Sequence, residues 1–412
     1  MLEELIKYGF YVFMAFITIC LIGYIPRLVA WFYGFKKQKH LINEKKNKIA
    51  IIVPARNESM VIGELFESIK KQTYKNFDTF VIVKDPKDKT IEMAKEIGAI
   101  SLVCENQTKK SDCLDYALKE AMKKGIYDAA FIIDADCFMD PNCMEELNNA
   151  LSSGKQIIQV KKRVKNFYMK QKNANSIWSS CNGLIWTIID DLGNKYKSAK
   201  GITNMLIGTG IMIRMDVVKE LNGWPYNQTL TEDIEFMNDA AIRGYSTFYY
   251  EHAIIYLEES TSLRVTNKRR TRWMDGVINS KRIYNDRLKE ASDKNRYFVT
   301  ALSPCFLFVG ACLIYFLLNT VIGGVLFFLG SSLWIECFFL GLLSLGIIYL
   351  AFFILTIFIL LTGKIHRPWY EKIMLLFIHP IFYMGYIRIC LKVYLGLTSN
   401  KWEVIDRVKF EG

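Results

Sequence analysis

Phe131-Ile132-Ile133-Asp134-Ala135-Asp136-Cys137 is the stretch on which the reading of this chain turns. A short apolar run ending in two carboxylates one residue apart reads as a buried strand that delivers an acidic pair to its C-terminal tip. Ligands of open α/β sheets collect at that edge. Two such carboxylates repel unless a cation sits between them, and Mg²⁺ or Mn²⁺ bridging to a nucleotide diphosphate is the common solution. A strand end followed by an ordinary Asp-rich turn has the same pattern, so the surrounding chain has to decide.

Working outward, Ile49–Val53, Phe80–Val83, Ser101–Cys104 and Ala129–Ile133 read as strands. Between them, Glu58–Lys71 (with Asn57 as N-cap), Ile91–Ile97 and Ser111–Lys123 have helical spacing of apolar residues. This alternation predicts a mostly parallel sheet with helices on both faces. Beyond it come a helix near Asn142–Leu151, a strand near Gln156–Val160 and an amphipathic helix over Ser176–Leu192. A strand over Met205–Ile213, broken by glycines, and a helix over Ile234–Arg243 complete the region. No G-x-G-x-x-G follows the first strand, which counts against a dinucleotide-binding oxidoreductase.

Hydrophobic residues make up 51% of the 412 residues, and the excess lies at the two ends. Tyr8–Tyr33 is long enough to cross a bilayer once. Acidic Glu3 and Glu4 lead it and lysines follow, so it reads as an uncleaved anchor with its N-terminus outside and the chain after Gly34 in the cytoplasm. From Phe298 to Leu361 the one charged residue is Glu336, either a loop residue or a buried functional carboxylate. Ile373–Leu395 is a further apolar segment, interrupted by Pro380. Two spans before a re-entrant segment, or three to four spans, both fit.

The net charge of +12 gathers beside the apolar segments (Lys36, Lys37, Lys39, Lys45, Lys46, Lys48), which suits an anionic membrane surface. No aromatic-interleaved basic motif points to nucleic acid. The ten cysteines show no metal-ligand spacing and read as reduced thiols. The expected organisation is an anchor (1–34), a basic linker (35–47), an α/β domain (48–262), interfacial helices (263–297), a membrane region (298–396) and a polar tail (397–412).

Other motifs flank the acidic pair. Asp85, after the second strand, can hold ribose hydroxyls or a base edge, or simply form a turn before Pro86. Lys110 at a helix start opposes the macrodipole, so a nearby anion such as a diphosphate would explain it. Gly208-Thr209-Gly210 allows close approach of a sugar or another backbone, or is a bulge. Trp224 offers an aromatic face to a sugar. In Thr231-Glu232-Asp233, Thr231 is placed to cap the next helix, and Asp233 either matches its dipole or takes a proton from an attacking hydroxyl. Arg269-Arg270-Thr271-Arg272-Trp273 reads as a juxtamembrane basic patch, with guanidinium groups suited to a leaving diphosphate and an indole suited to a sugar.

The ordered set Asp85, Asp134/Asp136, Thr231-Glu232-Asp233 and Arg269-x-x-Arg272-Trp273 resembles the membrane-bound branch of family 2 glycosyltransferases over roughly residues 48–280. The resemblance implies a GT-A fold, a Rossmann-like α/β sheet flanked by transmembrane helices. It implies that Pro54, Glu58 and Asp85 frame the uridine of a UDP-sugar, with Lys110 near the uracil or phosphate. Asp134 and Asp136 would contact the nucleotide sugar, Asp136 also its Mg²⁺ or Mn²⁺. Asp233 would be the general base of an inverting displacement. Gly208, Thr209, Gly210, Trp224, Glu232, Arg269, Arg272 and Trp273 would line the acceptor and diphosphate side.

Lys84–Thr90 is shorter than the usual D-D-G-S-x-D loop, and Asp85 is preferred there over Asp88. Arg269 stands where chain-elongating synthases usually carry Gln, which is similar to ceramide glucosyltransferases. The expected activity is extension of a β-linked glycan at the inner membrane face. Single transfer to a lipid acceptor is the alternative, and a non-catalytic nucleotide-binding component of membrane transport or assembly a third.

Overall fold

The structure, a computed structural model, describes residues 1–168, 176–300, 303–363, 365 and 367–398. Strands are β1 (Ile49–Pro54), β2 (Phe77–Val83), β3 (Ile100–Val103), β4 (Ala129–Ile132), β5 (Phe138–Met139), β6 (Ile157–Val164), β7 (Ile211–Arg214) and β8 (Thr247–Leu257). The first helices are α1 (Leu2–Phe32), α2 (Ile62–Lys70), α3 (Thr90–Glu96), α4 (Lys110–Lys124) and α5 (Cys143–Leu151). They are followed by α6 (Lys165–Tyr168), α7 (Ile177–Ile189), α8 (Lys195–Lys200), α9 (Met215–Glu220) and α10 (Glu232–Arg243). The last are α11 (Leu263–Tyr284), α12 (Asp293–Thr300), α13 (Ser303–Phe328), α14 (Trp334–Thr362) and α15 (Trp369–Tyr394).

The sheet runs β3-β2-β1-β4-β7-β6-β8-β5. Strands β3, β2, β1 and β4 are parallel, β7 is antiparallel to both neighbours, and β6 and β8 are parallel. β1 and β4 are apolar on both faces because both faces are covered. Ile51, Val53 and Phe131 pack on the α2 side, Ile52 and Ile132 on the α4 side. Residue Ile133 continues the ladder past β4 by donating to the Ile52 carbonyl, and Asp134 follows at the tip.

Three expectations shift. The first crossover helix begins at Ile62 rather than Glu58, because Asn57 is left-handed (φ 58°) and leaves the helical path without capping it. The expected strand over Met205–Ile213 shortens to β7. Gly210 turns left-handed there (φ 72°), and a Cβ on it would come within 2.5 Å of Val160 Cγ2. The helix expected to reach Leu192 ends at Ile189 and passes into a π-helical turn, Asp190–Asn194.

Among the described residues four helices are long and apolar enough to cross a membrane: α1 with its following turn, α13, α14 and α15. At one end, Ile6 of α1 packs with Leu326 and Cys337 beside the α13–α14 connection. At the other, Gly34 touches Leu192 and Thr362, which ties α1 and α14 to the sheet domain. α15 is continuous through Pro380, and residues 382–398 run along α11, with Thr398 Oγ1 donating to Asp275 at 2.9 Å. Glu336 is exposed in the first turn of α14, as a residue beside a loop. The described cysteines are free thiols. The polar tail from residue 399 lies outside the described residues.

Candidate active site

The tip of β4, the loop before β7 and the start of α10 meet around the ammonium of Lys110, in the first turn of α4. Its Nζ lies 2.5 Å from Asp134 and 3.6 Å from Glu232, and it donates to the Gly208 carbonyl at 2.7 Å. The Gly208 N–H donates to Asp233 Oδ2 at 2.7 Å. A Cβ on Gly208 would lie 3.2–3.3 Å from Glu232 Oε1, Lys110 Nζ and Asp233 Oδ2, so the backbone reaches this cluster because it carries no side chain. The anion that offsets Lys110 at a helix start is therefore the protein's own. Asp112 caps the helix, accepting from Thr108 and Lys109 N–H groups.

Thr209 is buried beneath the pair, its Oγ1 accepting from the Asp134 N–H at 3.0 Å. Gln159, fully buried on β6, clamps the same loop: it accepts from Ile207 N–H and donates to the Thr209 and Gly210 carbonyls. The α10 start is held by Glu235, which accepts from the Thr229 N–H and hydroxyl. Thr231 does not cap α10 with its side chain; it packs against Gly276 of α11 instead.

Three carboxylates, Asp134, Glu232 and Asp233, thus gather around one lysine, with Asp136 next to Asp134. Burial, then the charge of Glu232, pushes Asp233 up to about 7, against the opposing pull of Lys110 and the Gly208 N–H. Burial also raises Asp134, with Asp136 adding repulsion and Lys110 working against both. Burial opposes the charge on Lys110, but Asp134 and Glu232 outweigh it and hold the ammonium well above its usual value.

This excess of negative charge fits a divalent cation. Among the described residues no three His, Cys, Asp or Glu side chains form a metal-binding set by themselves. The donor chemistry is that of a site in which one or two carboxylates share Mg²⁺ or Mn²⁺ with substrate phosphates.

Arg272 of α11 has a buried Nε with no hydrogen-bond partner among the described residues, and lies in the field of Glu232, Asp233 and Asp134. Burial, then Arg269, presses its pKa below the usual guanidinium range. Arg269 pairs with buried Glu259 at 3.3 Å and stacks over Trp273 at 5.4 Å. Trp273 meets Trp186 edge-on, and the Trp186 indole donates to Glu259.

Other expected residues fall elsewhere. Asp85 lines a cavity of about 290 Å³ with Arg56, Asn57, Lys84, Pro86 and Glu105. Asp88, passed over in the sequence reading, accepts from the Asn57 and Thr90 N–H groups and holds that turn. Pro54 ends β1, and Glu58 sits in the turn before α2. Trp224 is 3% exposed and packs on Tyr226 and Phe236, so it belongs to the core under α10 and is no sugar platform. Gly210 faces Val160 and Ile255 rather than a ligand.

Sequence reasoning missed Gln159, Glu259 and Arg270. Gln159 announced itself as the one polar residue in Ile157-Ile158-Gln159-Val160. Arg270 was hidden in a charge run. It is 1% exposed, donates to Asn182 at 2.6 Å and lies over Phe382 and Tyr386 of α15.

A mostly parallel sheet whose central strand hands an acidic tip to a lysine, a glycine loop and a second acidic helix start has the arrangement of the GT-A fold. The family profile described as "Glycosyltransferase like family 2" matches residues 46–276, more than half of the chain, and the protein belongs to that family. Its four long apolar helices among the described residues fit a membrane-bound form.

The chain is similar to a probable glycosyltransferase of Bacillus subtilis, YdaM, at 21% identity over 244 residues, 56% of this chain and 55% of that protein. It is also similar to an uncharacterized protein of Methanocaldococcus jannaschii, at 48% identity over 67 residues, 16% of this chain and 26% of that one. The chain thus spans about half and about a quarter of these curated relatives. In fold it resembles a mannosyltransferase from Pyrobaculum calidifontis, solved in complex with GDP-Man and Mn²⁺. The TM-score is 0.59 at 12% identity, over 93% of this chain and 97% of that one.

Proposed function

We propose that this protein transfers a sugar, with inversion, from a cytosolic nucleotide diphosphate sugar to an acceptor at the inner membrane face. The reading rests on one observation. Asp233 is held by the Gly208 N–H, in a cluster short of positive charge, with its carboxyl near neutrality. A base with that affinity accepts a proton from an attacking hydroxyl and releases it at physiological pH.

In this reading Asp134 and Asp136 hold the diphosphate and the Mg²⁺ or Mn²⁺, which when bound neutralises charge on the leaving group. Lys110 orients Asp134 and balances Glu232. Arg272 brings a donor to the departing diphosphate, and Arg269 with Trp273 walls the acceptor side. Asp85 and its cavity receive the nucleoside, here taken as uridine; the fold neighbour from Pyrobaculum holds a guanosine nucleotide. The lysines after α1 support a cytoplasmic sheet domain.

The acceptor is a growing β-linked glycan. Single transfer to a lipid is the second reading, favoured by the packing of α11 directly on the apolar helix α15. Purified protein in detergent is offered UDP- and GDP-sugars with Mn²⁺ or Mg²⁺, and nucleotide release is measured. Membranes are then labelled with the active donor and the product sized. Release from no donor sinks the enzymatic reading. Long polymer supports the glycan, and one sugar on an extractable lipid supports the alternative.

A further inference from the structure

A second cavity, of about 420 Å³, lies where the sheet-side part of α1 meets α8 and α12. It is lined by Pro26, Tyr196, Lys200, Lys294, Tyr297 and Phe298, with Ile202 and Asp293 completing the wall. None of these residues belongs to the acidic centre around Lys110. The charge here is reversed. Lys200 and Lys294 are exposed at the cavity, and among the described residues neither has a carboxylate partner. Asp293, the one acid in the wall, is turned to solvent and paired with Arg296.

Behind the wall are two further cations. Arg27 lies 5.5 and 5.4 Å from the rings of Tyr297 and Phe298 and donates to the Phe298 carbonyl, while its Nε is buried with no hydrogen-bond partner among the described residues. Lys197, next to Tyr196, is 8% exposed and has no carboxylate partner among the described residues. Burial, then the nearby Arg27 guanidinium, pushes its ammonium down to about 7. Burying an unpaired cation beside another is costly, and an anion between them removes the cost. The cavity is large enough for a polar headgroup. Its aromatic walls stand at the end of a membrane-crossing helix, the level at which Tyr and Trp meet lipid headgroups.

We propose that this cavity binds a phosphate group, supplied by an anionic lipid of the leaflet facing the sheet domain, with Lys200 and Lys294 at its mouth and Arg27 and Lys197 behind. Phosphate is the anion that the bilayer presents at this depth, and basic side chains near the surface gather it.

The test is native mass spectrometry of the full-length protein, delipidated in detergent and titrated with phosphatidylglycerol, phosphatidylcholine or inorganic phosphate. Wild-type protein should retain one phosphatidylglycerol in preference to phosphatidylcholine. Lys200→Gln/Lys294→Gln, which alters exposed residues alone, should weaken that retention roughly 10- to 30-fold with donor turnover unchanged. Lys197→Met should also weaken it while raising the thermal midpoint, because an unpaired buried charge is removed. Equal retention of both lipids, or retention indifferent to both variants, overturns the proposal. Inorganic phosphate that displaces phosphatidylglycerol supports phosphate as the recognised group. Inorganic phosphate bound by a protein that retains no phosphatidylglycerol overturns the lipid source.

Discussion

Two charged clusters of the sheet domain are built on different principles. In one, Lys161 and Lys162 of β6 pair with Asp191 and Asp190 at 2.9 and 3.0 Å, and Lys195 pairs with Glu251 at 2.7 Å. Cations and carboxylates balance one for one, and the Lys162–Asp190 pair is fully buried. In the other, Lys110 and Arg272 share the field of three carboxylates, Asp134, Glu232 and Asp233, with Asp136 next to Asp134. The matched cluster is complete as it stands and fastens the π-helical turn, β6 and β8 together. The unmatched one carries an excess of negative charge that a bound cation would relieve. In this fold, imbalance distinguishes the site from the scaffold.

The sharpest way to break the comparison is Asp233→Asn. Turnover should fall by about 10²- to 10⁴-fold with donor affinity nearly kept, measured as nucleotide release under saturating donor. Unchanged turnover would remove Asp233 from the chemistry.

The same substitution in the matched cluster should affect stability rather than rate. Asp190→Asn strands the buried Lys162 ammonium, at a cost of about 3–5 kcal/mol, seen as a lower thermal midpoint in detergent. Replacing both partners, Lys162→Met with Asp190→Leu, should recover most of that loss, since a buried pair is worth little against well-packed apolar groups.

pH sharpens the contrast. The carboxyl of Asp233 titrates near 7, above its unfolded value, so the base is protonated at low pH and the rate climbs as pH rises through that point. Initial rates at low donor should lose roughly tenfold per pH unit below about 7. A rate flat from pH 5 to 8 would contradict the assignment. The smallest effect belongs to Gly208→Ala, whose methyl would crowd Lys110, Glu232 and Asp233. Charged side-chain ends can yield by a few tenths of an ångström, so a loss of about tenfold in turnover with an unchanged melting profile is expected.

The sequence was most legible where physical constraints are local. β1 and β4 are covered on both faces, so they read as continuous apolar runs, and the acidic tip of β4 was placed from its own residues. The grouping of Lys110 with Glu232 and Asp233 was not legible, because it depends on the Gly208 loop bridging segments far apart in the chain. Trp224 misled because an indole beside Gly223 and Pro225 has the same local pattern in a sugar site and in a core. The left-handed Asn57 misled because Asn is favoured both as a helix cap and in that conformation. Arg270 was read with its neighbours as a solvated run, although α15 buries it.

Gly276 on α11 is set so close to Thr231 that a Cβ there would come within 2.2 Å of the threonine oxygen. The two helices consequently have one mutual setting and no slack for sliding. Asp233 sits two residues beyond that contact on one helix, and Arg272 four residues before it on the other. Asn238 donates to Ser280 at 2.8 Å further along the same two helices, so the distance between Asp233 and Arg272 is set by that close approach and by this bond.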